Sequence, residues 1–312
     1  MDRMGKKKIV VLGSYVADVA FRAARLPTWG ETLMGSGFAL GPGGKGSNQA
    51  VAAARAGASV QMISRLGDDA FGRLARETWA ADGIDASLVG SCDVATGAAA
   101  SLIDEARGEN AIIVVPGACF TLTAADVDAA GGAIRSAGVL LTQLELPLGT
   151  VERGLRLARS AGALTILNPA PAQALGDEML GLVDFLIPNE SEAALLTGQP
   201  VESVAQAESA ARALQRRGAR CVIVTLGARG ALMCAEGAEA LLVGAFNAGA
   251  VVETTGAGDA FCGGFAAALS EGRSALEAVR FGCATAGISV TRPGTAPSMP
   301  RREEIEALLG VG

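Results

Sequence analysis

The segment Val139-Leu140-Leu141-Thr142-Gln143-Leu144-Glu145, followed by an alanine- and leucine-bearing stretch at 150–160 and then by Leu164-Thr165-Ile166-Leu167, decides the fold. Both apolar runs are nearly continuous rather than alternating, the pattern of strands buried on both faces of a parallel sheet. A helix between them returns the chain to the start of the sheet, as a parallel connection requires. The same unit recurs in both directions. Apolar runs rich in β-branched residues lie at Ile9–Leu12, 60–63, 185–187 and 221–226, and helices are expected at 47–56, 70–81, 124–136, 203–217, 257–270 and 274–291. The expected class is α/β, with a central mostly parallel sheet flanked by helices.

Two segments, 16–40 and 96–115, break this rhythm. In the second, 98–104 and 110–115 flank Glu105-Ala106-Arg107-Gly108-Glu109 and read as a β-hairpin. Hairpins have no place in a regular βα alternation, so both segments are assigned to a small β-rich lid. No low-complexity linker separates lid from core, which predicts one domain over 1–312 with a hinged flap.

Composition narrows the function. The chain has 312 residues, 50% apolar and 19% charged, with no apolar run of the length that spans a bilayer. The basic start, Met1 to Lys8, followed by Ile9 to Leu12, has the outline of a signal peptide. Gly13-Ser14 and Asp18 cut the apolar stretch short, and a buried first strand explains it better. Six cysteines are scattered without C-x-x-C spacing, which predicts reduced thiols in a cytoplasmic protein. A net charge of −6 and only two Trp and one Tyr supply neither the basic footprint nor the stacking platform of a nucleic-acid binder. A small molecule is the expected ligand.

Thr255-Gly256-Ala257-Gly258-Asp259-Ala260-Phe261 carries the most chemistry. Backbone amides at a helix N-terminus form an anion site that glycines leave open. Asp259 there would repel a phosphate unless it takes the proton of a hydroxyl attacking that phosphate. It would otherwise complement the helix dipole. The chain has no histidine, so carboxylates are the candidates for a general base. Gly41-Pro42-Gly43-Gly44-Lys45-Gly46-Ser47-Asn48 matches G-x-G-x-x-G by letter but sits some thirty residues beyond the first strand, out of place for a dinucleotide fold. The Walker A pattern fails at Ala39 and at Gly46. What remains is a glycine-rich turn offering amides and an ammonium, or a tight strand-to-helix turn. Asp18 and Glu145 stand at strand ends, where a carboxylate can accept from a diol or cap a helix. Asn189 and Glu192, three apart, suit either water-mediated Mg²⁺ or a capping box. Thr225-Leu226-Gly227-Ala228-Arg229-Gly230 is a further strand-end glycine turn.

Together these pieces resemble the ribokinase-like (PfkB) carbohydrate kinases nearly end to end. The likeness runs through Gly13-Ser14, Ala17-Asp18, Gly43 to Ala50, Gln143-Leu144-Glu145, Asn168 to Ala172, Pro188 to Ala193, Thr225-Leu226-Gly227, Gly256 to Asp259, and Val290-Thr291-Arg292 with Gly294 and Pro297-Ser298. The resemblance implies ATP-dependent phosphorylation of D-ribose at its 5-hydroxyl, with Asp259 as base and Gly256, Ala257 and Gly258 as the anion hole. It implies a sugar held by Asp18, Gly44, Lys45, Gly46, Asn48 and Glu145, and ATP near Asn189, Thr225, Gly227, Gly230, Gly258 and Cys283. It implies Mg²⁺ beside Glu192 through water, and K⁺ among Glu253, Thr255, Ser289, Arg292, Gly294 and Ser298. It also implies a homodimer through the lid. Two departures stand out: Val16 replaces an asparagine that would face the sugar, and Glu253 replaces an aspartate at the cation position. Val16 makes 2-deoxyribose, or another sugar or nucleoside, the alternative substrate. A non-catalytic sugar-binding regulator on the same fold is the alternative from another class.

Overall fold

The computed structural model describes residues 7–107 and 109–310. The signal-like start up to residue 6, and Gly108 in the expected hairpin turn, lie outside those residues. Thirteen strands follow in chain order: β1 (Ile9–Leu12), β2 (Val16–Ala23), β3 (Gly37–Gly43), β4 (Val60–Gly67), β5 (Asp85–Cys92), β6 (Thr96–Asp104), β7 (Glu109–Gly117), β8 (Val139–Thr142), β9 (Leu164–Leu167), β10 (Phe185–Leu186), β11 (Cys221–Thr225), β12 (Ala231–Ala235) and β13 (Leu241–Val243). The helices are α1 (Lys45–Arg55), α2 (Ala70–Ala81), α3 (Ala124–Ala129), α4 (Gly131–Ser136), α5 (Leu148–Ser160), α6 (Asp177–Leu180), α7 (Glu190–Thr197), α8 (Val204–Arg216), α9 (Ala257–Ser270), α10 (Ala275–Ser289) and α11 (Arg302–Leu309).

Nine strands form one sheet in the order β13-β12-β11-β10-β9-β8-β1-β4-β5. It is parallel from β5 to β11, and β12 and β13 are antiparallel at one edge. The sheet and its flanking helices agree with the expected class. Side chains alternate across the pleat, so Ile9 and Val11 of β1 enter one apolar layer and Val10 and Leu12 the other. Helices α1, α9 and α10 cover the first face, and α5 and α8 the second. The parallel strands therefore all end on one rim, which carries Gly13-Ser14 after β1, Gln143 and Glu145 after β8, Asn168 after β9 and Asn189 after β10. Ligands of open α/β sheets bind at that rim.

The two segments that break the alternation supply a separate four-stranded sheet, β3-β2-β6-β7, in which β2 pairs parallel with β6 and the outer pairs are antiparallel. Its strands β3 and β7 run to Gly43 and Gly117, slightly beyond the expected ends. It leaves Phe38, Ile113 and Val115 more than half exposed. The helix expected over 124–136 is two helices, α3 and α4, broken at Ala130 before the glycine pair Gly131-Gly132. The strand expected to reach 144 stops at Thr142, which releases Gln143 and Glu145 to face the rim.

Candidate active site

Helix α9 opens at Gly256, whose φ of 82° is a conformation that a side chain disfavours. The Gly256 carbonyl accepts from Ala260 and the Ala257 amide donates to Thr254. The amides of Gly258 and Asp259 open the helix without intrahelical acceptors, as geometry dictates for a first turn. The Asp259 side chain is 6% exposed, and each of its oxygens accepts an amide proton from α1: Oδ2 from Asn48 Nδ2 at 3.0 Å and Oδ1 from Gln49 Nε2 at 2.9 Å. The close crossing of these helices depends on Gly263, where a Cβ would stand 2.5 Å from that of Ala52. Asp259 shares one cavity with Lys45, Asn168, Asn189, Glu192, Gly256, Gly258 and Thr225.

The first turn of α1 is capped from another strand. Gly44 has φ 83° and no side chain to cap with, and Glu145 supplies the acceptor instead, taking the Lys45 amide at 2.8 Å and the Ser14 hydroxyl. Burial pushes the Glu145 carboxyl up, against the pull of Lys45. Asp259 in turn pushes the Lys45 ammonium up, with Glu145 and Glu192 adding to it. One cation thus sits among three acids. The Asn48 Oδ1 is buried without a hydrogen-bond partner. A native interior rarely leaves such an acceptor unpaired, and a ligand hydroxyl would satisfy it. Asp18, on β2, accepts from Ser101 at 3.4 Å, and burial raises its carboxyl too.

Asn189 and Glu192 form the capping box of α7: the Asn189 amide donates to Glu192 Oε2 and its side-chain amide to Oε1, both at 2.9 Å. Both readings of this pair coexist, because Glu192 also lines the cavity, with its carboxyl raised by burial. Thr225 ends β11 beside Asn189 across an isolated bridge, and the turn after it closes through Leu226 donating to Gly230 at 2.8 Å. Farther along the rim, Glu253 Oε2 accepts from Gly294 at 2.8 Å, while Arg292 pairs with Glu304. Ser298 donates to the Thr295 carbonyl at 2.7 Å and Ser289 to Ala286.

Residues 6–302 match the description pfkB family carbohydrate kinase. The chain belongs to the pfkB family of carbohydrate kinases. It is 40% identical over 299 residues to the ribokinase of Haemophilus influenzae, covering 96% of this chain and 97% of that protein. It is 35% identical over 304 residues to the deoxyribokinase of Salmonella typhi, with 97% and 99% covered. The structure of Arabidopsis thaliana ribokinase complexed with ribose and ATP superposes with a TM-score of 0.91 at 34% identity, over 97% of this chain and 98% of that one.

Within this pfkB kinase, the residues read from the sequence do not all meet. Lys45, Asn189, Glu192, Thr225, Gly256, Gly258 and Asp259 converge on the cavity, with Asn48 and Glu145 adjoining through hydrogen bonds. Cys283, on α10, is not among the residues lining this cavity and packs in the apolar core, where burial pushes its thiol up to about 12. The cysteine that lines the cavity is Cys262, one turn after Asp259, a position the i+3 spacing on α9 makes legible. Asn168, Ala170 and Ile187 also line it, and Gln49 supports it from behind. Gln49 belongs to the family-like stretch Gly43 to Ala50 but carried no role of its own in the sequence, since a buried amide in an alanine-rich helix resembles any other polar position.

Proposed function

We propose that the protein transfers the γ-phosphoryl group of ATP to the 5-hydroxyl of D-ribose. The reading rests on one observation: a buried carboxylate, Asp259, is held by two side-chain amides at the opening of a helix whose first-turn residues Gly256 and Gly258 line the same cavity. The hydroxyl oxygen would form its bond to phosphorus as the bond from phosphorus to the β–γ bridging oxygen breaks, with the proton passing to Asp259 and ADP leaving. Catalysis of this kind is mostly positioning and charge stabilisation, which the Gly258 and Asp259 amides and Lys45 would supply. Asp18, the Gly44 to Gly46 turn, Asn48 and Glu145 would hold the sugar, and the turn from Thr225 to Gly230 the nucleotide. The names of the Haemophilus and Arabidopsis relatives support ribose and ATP.

Mg²⁺ would be held through waters at Glu192, where it would neutralise phosphate charge. Asn189 occupies the near side of both carboxylate oxygens, and no cluster of three acidic or cysteine ligands exists among the described residues, so an outer-sphere arrangement fits and direct chelation does not. K⁺ would sit by Glu253, Thr255, Ser289, Arg292, Gly294 and Ser298. Glu253 is already turned toward that segment by Gly294, and Arg292 is engaged elsewhere. The β2-β3-β6-β7 sheet would close over the sugar to exclude water and pair two copies of the chain. All six cysteines are free, consistent with a cytoplasmic location.

A coupled ADP-release assay with and without ribose tests the reading: consumption of ATP must depend on the sugar. The second reading is a preference for 2-deoxyribose. Val16 is buried and apolar at the start of β2, and the Salmonella relative is a deoxyribokinase. An apolar wall cannot strongly favour the sugar that carries the extra hydroxyl. The ratio of kcat/KM for the two sugars decides, and Val16→Asn is expected to move it toward ribose.

A further inference from the structure

Behind Asp259 lies a chain of side-chain amides with one permitted direction. Gln49 is fully buried, and its Nε2 carries two protons, one donated to Asp259 Oδ1 at 2.9 Å and the other to Asn168 Oδ1 at 3.1 Å. Its Oε1 accepts from Gln143 Nε2 at 2.7 Å. Asn168 cannot turn over, because its own amide is committed to the Ile187 carbonyl at 2.9 Å. A reversed Gln49 would place an oxygen against a carboxylate and against the Asn168 oxygen, and would set its amide against that of Gln143. Each link therefore forces the next. Gln143 reaches Gln49 because β8 stops at Thr142, and because Gly13 leaves room: a Cβ there would stand 2.6 Å from Gln143 Oε1.

We infer that Gln49 is the positioning residue of the base Asp259, with Gln143 holding the oxygen end of the Gln49 amide. Asn48 alone would leave the carboxylate one bond about which to swing. With Gln49 on the other oxygen, both edges of the group are fixed and its remaining lone pairs face the cavity. The inference rests on the reading of Asp259 as base.

The test compares the wild-type enzyme with Gln49→Met, which keeps length and loses the donors, and with Gln143→Met. For each, kcat and the KM for ribose are measured separately, with folding checked by circular dichroism and melting. Gln49→Met should lower kcat about tenfold or more while the KM for ribose stays within about twofold, since positioning of a base is spent in the transition state. Gln143→Met should lower kcat by less, again with the KM for ribose little changed. An unchanged kcat in folded Gln49→Met, or a KM rise that accounts for the whole defect, would overturn the inference and leave Gln49 as packing. If Gln49→Met does not fold, Gln143→Met decides alone by the same criterion. A wild-type protein without ribose-dependent ADP release would instead overturn the assignment of Asp259 itself, and this inference with it.

Discussion

Asp259 is a buried acid and Glu145 a partly buried one in the same site, and their surroundings give them different duties. Asp259 accepts two side-chain amides and faces the cavity, so Asp259→Asn should fold, retain sugar binding and lose about 10²- to 10⁴-fold in kcat. Steady-state kinetics beside a ribose-induced melting shift measures both halves of that statement. Glu145 instead caps a neighbouring helix with a carboxyl that burial has raised. A raised carboxyl takes up a proton more readily in the folded chain than in the unfolded one. The stability it contributes is full below the ordinary carboxylate range and is lost as pH rises through the raised folded value. Glu145→Gln has no charge to desolvate, so its melting temperature should gain on the wild type as pH rises from about 5 toward 8, while the KM for ribose rises about tenfold or more from the lost charged acceptor. Paired melts across pH check the first expectation. A gap that closes with rising pH would refute it.

Elements show where the sequence spoke clearly. Helices α2 and α9 have the expected bounds because strong local signals bracket them: Asp69 accepts from Gly72 at one, and the glycines at 256 and 258 open the other. The edge strands were silent for physical reasons. Half-exposed β5 lacks a continuous apolar run, and β12 and β13 are short and antiparallel, outside the repeating unit. In the site, groups with a chemical signature were legible, including Asp259, Lys45, Asn189 and Glu192. Gln49 and Asn168 entered only through the family likeness, with no role attached, since only the crossing of α1 with α9 and the stop of β8 give them partners, and Cys262 offered no more than its spacing from Asp259. The same crossing predicts an unusual burden on Arg55 in the last turn of α1. Its Nε and Nη2 grip Asp82 at 2.8 and 3.0 Å, and its Nη1 reaches the carbonyls of Ala296 and Met299 at 2.9 and 3.1 Å. A lysine cannot reproduce that planar fork. Arg55→Lys should therefore cost about 2–4 kcal/mol, read as a lower urea midpoint with an unchanged slope. A loss below about 0.5 kcal/mol would mean the fork is dispensable.

Over the whole molecule, the small sheet leaves apolar surface that its own chain does not cover. Phe38, Ile113 and Val115 are exposed at 63%, 67% and 59%. Contiguous apolar area on a folded protein marks an interaction site. If a second copy covers it, Ile113→Asp should convert a dimer to a monomer in sedimentation velocity and raise the KM for ribose, with the melting of the large sheet little changed. A monomeric wild type at micromolar concentration would remove the pairing. The order of strands in the large sheet has a consequence of another kind, for the ribosome. Strand β1 ends at residue 12 and is wholly buried between β4 and β8, and β8 begins only at residue 139. At ordinary rates of translation β1 spends roughly 6 to 25 s outside the exit tunnel before its second neighbour exists. Throughout that interval an apolar strand with at least one open edge is a ready template for other nascent chains. The middle of the finished sheet is thus the part of the chain most in need of chaperone cover during synthesis.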